Sequence, residues 1–294
     1  MSENKKIWCK FCGSHNIIKY GKSGKKQAYL CKYCKRKFVL NEGFEGFQNH
    51  PEIVASALDL YFKGLSVRKV AEHISSFYNV GVHYSTVYWW IKRYAQLIYD
   101  YMVWCEPELS GTWYADEMCI KVGGKWRWLW NVMDSETRLL IASIVSSERE
   151  VEDARRAFKE ARRFAKSKPH EVVTDGLHAY GDAVVKEFWS RYMDERTEHK
   201  RHVRLSGDLT TNLIERLQGT LRERDKVLRG LKKDESPIIK LMQAYYNFIR
   251  NHQTLGETPA EAAGIGVGSG KHAWLELMIR SAVHKIIEEG SKLP

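Results

Sequence analysis

Apolar residues recur at helical spacing through Ile53, Ala57, Leu58, Leu60 and Tyr61, which predicts a helix from Pro51 that stops at Gly64. Ser66 can cap a second helix whose apolar face is Val67, Val70, Ala71 and Ile74. Asn79-Val80-Gly81 then supplies a turn, and Ser85 is placed to cap a third helix over residues 86–94. Near residue 111 the texture becomes strand-like. Strands are predicted over residues 113–122 and 126–133, joined by a Gly123-Gly124 hairpin turn. A third strand, residues 138–146, follows the turn at Asp134-Ser135-Glu136. An amphipathic helix over residues 151–165 leads to the apolar run 171–174, which ends at Asp175-Gly176. That order is β-β-β-α-β. Further helices are predicted over residues 212–231 and 238–250, and Thr258-Pro259-Ala260-Glu261 has the pattern of a capping box.

Trp126, Trp128 and Trp130 alternate along the second strand, so three indoles share one face. Packing against a helix is the favoured reading, with base stacking as the other use of such a face. The three helices before residue 104 form a helix-turn-helix pattern. In that motif the start of the last helix meets base edges in the major groove, which nominates His83, Ser85, Thr86, Lys92 and Arg93 for DNA contact. The alternative is a helical bundle used only as packing.

A chain of 294 residues with 44% hydrophobic and 28% charged residues is long enough for two folded units and a small module. The same figures exclude a largely disordered, collagen-like or coiled-coil chain. Charge changes the picture more. Of the net +11, nearly all lies in residues 1–40, which hold eleven Lys and Arg, among them Lys25, Lys26, Lys35 and Arg36, against a single acid, Glu3. A compact basic module on a near-neutral body is the footprint of a polyanion binder, because each neutralised phosphate releases condensed counterions. No apolar run approaches the ~18 residues that span a bilayer, and the N-terminus lacks an apolar signal core. The expectation is an intracellular protein that meets nucleic acid and not a membrane.

Cys9-x-x-Cys12 and Cys31-x-x-Cys34, with 18 residues between the pairs, have the spacing of a four-cysteine zinc site. Tyr29 and Phe38 are available to cover the metal. Two disulfides or four free thiols are the alternative, which a reducing compartment disfavours. A site closed by four thiolates has no open position, so this zinc is structural. Cys105 and Cys119 stand apart and read as buried small hydrophobes.

Three acids have a physical reason to be singled out. Asp116 lies in an otherwise apolar strand, where an uncompensated carboxylate is costly and calls for a metal or a basic partner. Asp175 ends an apolar strand, where α/β sheets build sites. Glu215 lies in the apolar part of a basic helix, between Ile214 and Leu217, and a helix laid across the sheet could bring it to both aspartates. Three such carboxylates can hold two Mg²⁺ ions for phosphoryl transfer. Glu117 follows Asp116 directly, so strand alternation turns it to the opposite face and argues against its sharing the metal.

The order of zinc ribbon, helix-turn-helix, Asp116-Glu117, Val173-Thr174-Asp175-Gly176 and Asn212-Leu213-Ile214-Glu215-Arg216 resembles the DDE transposases of prokaryotic insertion sequences, most closely the insertion-sequence-six type. The resemblance covers nearly the whole chain. It implies a multidomain protein: a zinc ribbon (1–40), a helix-turn-helix domain (50–104), an α/β ribonuclease H-like, retroviral-integrase-like catalytic core (110–265) and a helical tail (266–294). It further implies Asp116, Asp175 and Glu215 as ligands of Mg²⁺ or Mn²⁺, and Arg222, two turns after Glu215, near the DNA. The implied partners are double-stranded DNA, as element ends and target, and further copies of the chain in a homodimer or higher homo-oligomer. Two rivals remain: a DNA-binding regulator without catalysis, and a metal-dependent nuclease of the same fold that does not join strands.

Overall fold

The computed structural model describes residue 9 and residues 14–23, 26–39, 50–201, 211–225, 231–268, 270 and 272–291. Strand-forming residues at the N-terminus give β1 (Ile17–Ser23), β2 (Lys26–Cys31) and β3 (Lys37–Val39), an antiparallel sheet in that order. Its small apolar cluster consists of Cys9, Cys31 and Phe38, with Ile17, Tyr29 and Cys34 packed against them.

The helical periodicity of the next stretch yields α1 (Pro51–Phe62), α2 (Val67–Tyr78) and α3 (Tyr84–Trp104). Ser66 caps α2 by accepting the Lys69 N–H, and Asn79 closes it in the left-handed region. The third cap differs from expectation. His83 takes it, its ring accepting the Ser85 N–H, so Ser85 lies inside the first turn. The histidine nitrogen does what a shorter Ser or Asp oxygen would do at this position. The helix also runs ten residues past Tyr94, and its second half packs on α7 (Pro237–Ala244) and α9 (Ala273–Ser291).

The five-stranded sheet comprises β4 (Thr112–Val122), β5 (Lys125–Asp134), β6 (Leu140–Ser146), β7 (Glu171–Thr174) and β8 (Glu198–Arg201), in the order β6-β5-β4-β7-β8. β4, β5 and β6 are antiparallel neighbours, whereas β7 and β8 run parallel to β4. Three meandering strands followed by two parallel ones reached through helices are the arrangement of a ribonuclease H-like core. α4 (Val151–Ala165) and β7 match the predicted bounds, and α5 (His178–Phe188) with β8 extends the β-β-β-α-β order. Gly123 and Gly124 both have positive φ in the hairpin, and a side chain on Gly123 would come within 2.9 Å of the Lys232 carbonyl. The edge of β6 is closed by α7 and the π-helical turn after it: Asn247 bonds both backbone groups of Leu140, and Gln243 donates to the Leu140 and Ile141 carbonyls. The helix predicted over residues 238–250 is therefore present, but its last turn, Tyr245–Ile249, is π-helical. The capping box at Thr258 and Glu261 is formed and starts α8 (Pro259–Ala262).

Of the alternating indoles, Trp130 is fully buried, with its Nε1–H on Ser146 Oγ and its ring edge-on to Tyr180, whereas Trp126 is 67% exposed. Buried side chains of α1–α3 and of the sheet layer form one continuous cluster, from Ile53 to Met278. No helix among the described residues is long and apolar enough to cross a membrane.

Candidate active site

β7 ends at Thr174, which pairs with Ala115, so from Asp116 onward β4 has no neighbour on that side. This is where the strand order reverses, the place at which open α/β sheets leave a crevice. Asp175 stands in the gap. Its Oδ1 accepts the Leu177 N–H at 3.0 Å, which fixes the carboxylate at the head of α5. Asp116, Glu117 and Asp175 each offer one carboxylate oxygen, and these lie within 4.8 Å of one another.

The inclusion of Glu117 corrects the argument from alternation. Its side chain does enter the opposite face, where it is buried and accepts the Tyr180 hydroxyl at 2.6 Å. Because the strand is open on one edge beyond Ala115, both faces reach the gap that Asp175 fills. Cys119, expected to be buried, is exposed on this same unpaired stretch, while Cys105 is buried as expected.

Burial pushes the Asp116 carboxyl up to about 7, and the neighbouring charges of Glu117 and Asp175 push in the same direction. The Glu117 N–H on Asp116 Oδ1, at 2.9 Å, and the more distant charge of Arg149 only partly oppose this. Burial also holds the Tyr180 hydroxyl well above its ordinary value, with Glu117 adding to the effect, so it remains a donor. Arg149 forks Glu117 and lies 3.9 Å from Asp175. A cluster of hard oxygen donors, short of positive charge, with one carboxyl held near neutral, suits Mg²⁺ or Mn²⁺ and does not suit a soft metal.

The helix α6 (Thr211–Asp225) lies against β4 as expected. Its anchor is Gln218, which donates to Asp116 Oδ2 at 2.5 Å and to the Glu117 carbonyl at 3.3 Å. Glu215, one turn earlier, is exposed and is not among the three clustered carboxylates. Arg222 is exposed two turns beyond it. The predicted helix reached residue 231, but Leu231 lies outside it and its carbonyl accepts the Gly123 N–H; residues 226–230 lie outside the described residues. Gln218 was detectable as a polar residue within the stripe of Leu217 and Leu221. Arg149, among exposed charges on a loop, gave no such signal.

In the N-terminal sheet, the Sγ atoms of Cys9, Cys31 and Cys34 lie within 4.8 Å of one another, and none is in a disulfide. Cys34 directs its N–H at Cys31 Sγ, and Lys35 adopts positive φ directly after, a turn that presents two thiolates to one ion. Three converging thiols fit zinc. Tyr29 and Phe38 pack together beside them, as expected. Cys12 and Lys25 lie outside the described residues, as does the side chain of Lys26. Lys35, Arg36, His83, Ser85, Lys92 and Arg93 are exposed and Thr86 is half-buried. His83 and Ser85 are bonded to each other at 2.7 Å in the α3 cap.

Residues 110–253 match the DDE domain family. The chain is 31% identical over 133 residues to the transposase for insertion sequence element IS257 in transposon Tn4003 of Staphylococcus aureus, covering 44% of this chain and 56% of that protein. The transposase for insertion sequence-like element IS431mec of Staphylococcus aureus strain Mu50 matches with the same figures. An uncharacterized protein of Methanocaldococcus jannaschii is 28% identical over 152 residues, covering 52% of this chain and 68% of that one. The chain thus spans little more than half the length of these transposases. Among solved structures it is similar to the HTLV-2 integrase catalytic core domain in complex with magnesium, with a TM-score of 0.41 and 14% identity over 54% of this chain and 99% of that one.

Proposed function

From the match of residues 110–253 to the DDE domain family and the similarity to insertion-sequence transposases, we propose that the chain is a DNA transposase that binds the ends of its element and catalyses strand cleavage and strand transfer. The observation that carries this reading is the meeting of Asp116 and Asp175 at the reversal of strand order, with Asp116 held up to about 7 by its surroundings. Asp116, Asp175 and Glu215 are the proposed ligands of Mg²⁺ or Mn²⁺. A divalent ion there would stabilise the charge that develops on the entering and leaving oxygens of an in-line displacement. Gln218 ties α6 to Asp116 and so sets the height of Glu215 over the sheet.

In the first step water attacks a phosphodiester at the element end, and the bond to the 3′ oxygen breaks to leave a 3′-hydroxyl. In the second, that hydroxyl attacks a target phosphodiester and displaces its 3′ oxygen. Arg222, exposed on α6, is the proposed contact to a backbone phosphate. The zinc ribbon (1–40), with Cys9, Cys12, Cys31 and Cys34 on zinc, supplies phosphate contacts through Lys25, Lys26, Lys35 and Arg36. The helical unit (50–104) reads sequence through the start of α3, at His83, Ser85 and Thr86, with Lys92 and Arg93 beside it. The core (110–265) is followed by the helical tail (266–294), and pairing of two ends calls for two or more copies of the chain.

The test is an assay of the full chain on one labelled duplex bearing the repeats that flank its gene, read for nicking and for joining to a second duplex. Both products with Mg²⁺ or Mn²⁺ are expected. Nicking without joining would make the protein a nuclease, and binding without either would make it a regulator.

A further inference from the structure

Arg149 lies between β6 and α4 and is more closely engaged than a loop arginine needs to be. Its Nε donates to Glu117 Oε1 at 2.6 Å and its terminal nitrogen donates to the same oxygen. The guanidinium stacks over the Trp128 ring, 4.7 Å from the centroid, and reaches to 3.9 Å from Asp175 Oδ2. One cation therefore bridges two of the three clustered carboxylates. Its two contacts are unequal. Glu117 is 1% exposed and held from behind by Tyr180, whereas Asp175 is 45% exposed and stands beyond hydrogen-bond distance.

We propose that Arg149 is the resident counter-cation of the carboxylate centre, and that a divalent ion binding at Asp175 must first displace the guanidinium from that carboxylate. This rests on reading the centre as a divalent-metal site. The hold on Glu117 keeps the arginine within reach, the contact with Asp175 is the one that yields, and the Trp128 face provides a surface on which the freed guanidinium can stay partly desolvated. Arg149 is then a positioning residue. It lowers repulsion among the three acids in the metal-free protein and sets the metal concentration at which the centre fills.

The sign of one change separates this role from simple support of the fold. The full chain, its zinc content fixed, is titrated with Mn²⁺ as wild type, Arg149→Gln, Arg149→Met and Arg149→Lys. A like charge within ~4–6 Å opposes a second cation by a factor of about ten or more. Arg149→Gln and Arg149→Met, the latter keeping a long stem against Trp128, should bind Mn²⁺ at least about tenfold tighter. Arg149→Lys, which keeps the charge, should stay within about threefold of wild type. The two neutral variants should melt earlier than wild type in buffer without added divalent cation and recover on adding Mn²⁺. In the wild-type chain, Mg²⁺ should shift the Arg149 Nε–H resonance. Unchanged or weaker Mn²⁺ binding in a folded neutral variant, or an Arg149 resonance that stays in place as Mg²⁺ binds, would overturn the inference. A wild-type chain that binds no Mn²⁺, or binds it as well after Asp175→Asn, would overturn the metal reading itself.

Discussion

The cysteine cluster of the N-terminal sheet and the carboxylate cluster of the larger sheet both gather three ligand groups within 4.8 Å, yet their surroundings are opposite. Cys9 and Cys31 are buried, and around them the described sheet offers little more than Phe38 as apolar core. The carboxylates sit at the gap between β4 and β7 in a sheet whose own core is large and continuous. On the proposed reading, zinc at the first cluster would hold its module together, whereas the second cluster is carried by a sheet with an extensive core of its own. Structural metal sites replace a core, and catalytic ones are imposed on one.

That contrast can be broken most forcefully at Cys31. Coupling of zinc to folding is worth roughly 10 kcal/mol or more in small zinc modules, far beyond what their apolar contacts supply. Cys31→Ser should abolish zinc binding and unfold the N-terminal sheet while the main thermal transition of the core persists, as calorimetry with zinc analysis would reveal. Loss of the core transition in the same variant would show that the two regions are not independent in stability.

Within the core, stability should follow burial. Trp130→Ala removes a fully buried indole and its bond to Ser146, and should cost about 3–5 kcal/mol. Trp126→Ala, on the same face but 67% exposed, should change stability by no more than about 0.5 kcal/mol. Denaturant unfolding of the two variants decides the matter, and equal effects would contradict the gradient of burial along β5.

An effect of a different kind should appear with pH. Asp116 has its carboxyl raised to about 7, so the folded protein keeps a proton there that the unfolded chain releases near pH 4. Stability from this group is full below pH 4 and is lost as pH rises towards 7. Mn²⁺ competes with that proton, so its affinity should rise by about tenfold per pH unit below 7 and level off above. Asp116→Asn should flatten the profile in a pH series of Mn²⁺ titrations.

Much of this was legible in the chain, for identifiable reasons. The bounds of α4 and β7 follow from clean periodicity and apolar runs, and the hairpin follows from Gly123-Gly124. Asp116 and Asp175 were marked by their positions in apolar strands, which is a local property. Alternation placed Glu117 on the correct face but missed its approach to Asp175, because the early end of β7 is a fact of sheet pairing. The π turn after α7 was hidden because Tyr245 to Ile249 keep helical apolarity, while the demand of the β6 edge for Gln243 and Asn247 arises only in the folded chain. Arg149 was invisible for the same reason, since it is defined by three partners distant in sequence.

The most direct test of the account compares wild type, Asp175→Asn and Glu215→Gln on a labelled element end, with zinc measured in the same samples. Wild type should nick and join only with Mg²⁺ or Mn²⁺. Both variants should retain zinc and DNA binding and lose nicking and joining together by about a thousandfold or more, as several kcal/mol of charge stabilisation is removed. Cleavage at the wild-type rate by Asp175→Asn would contradict a carboxylate centre for strand transfer.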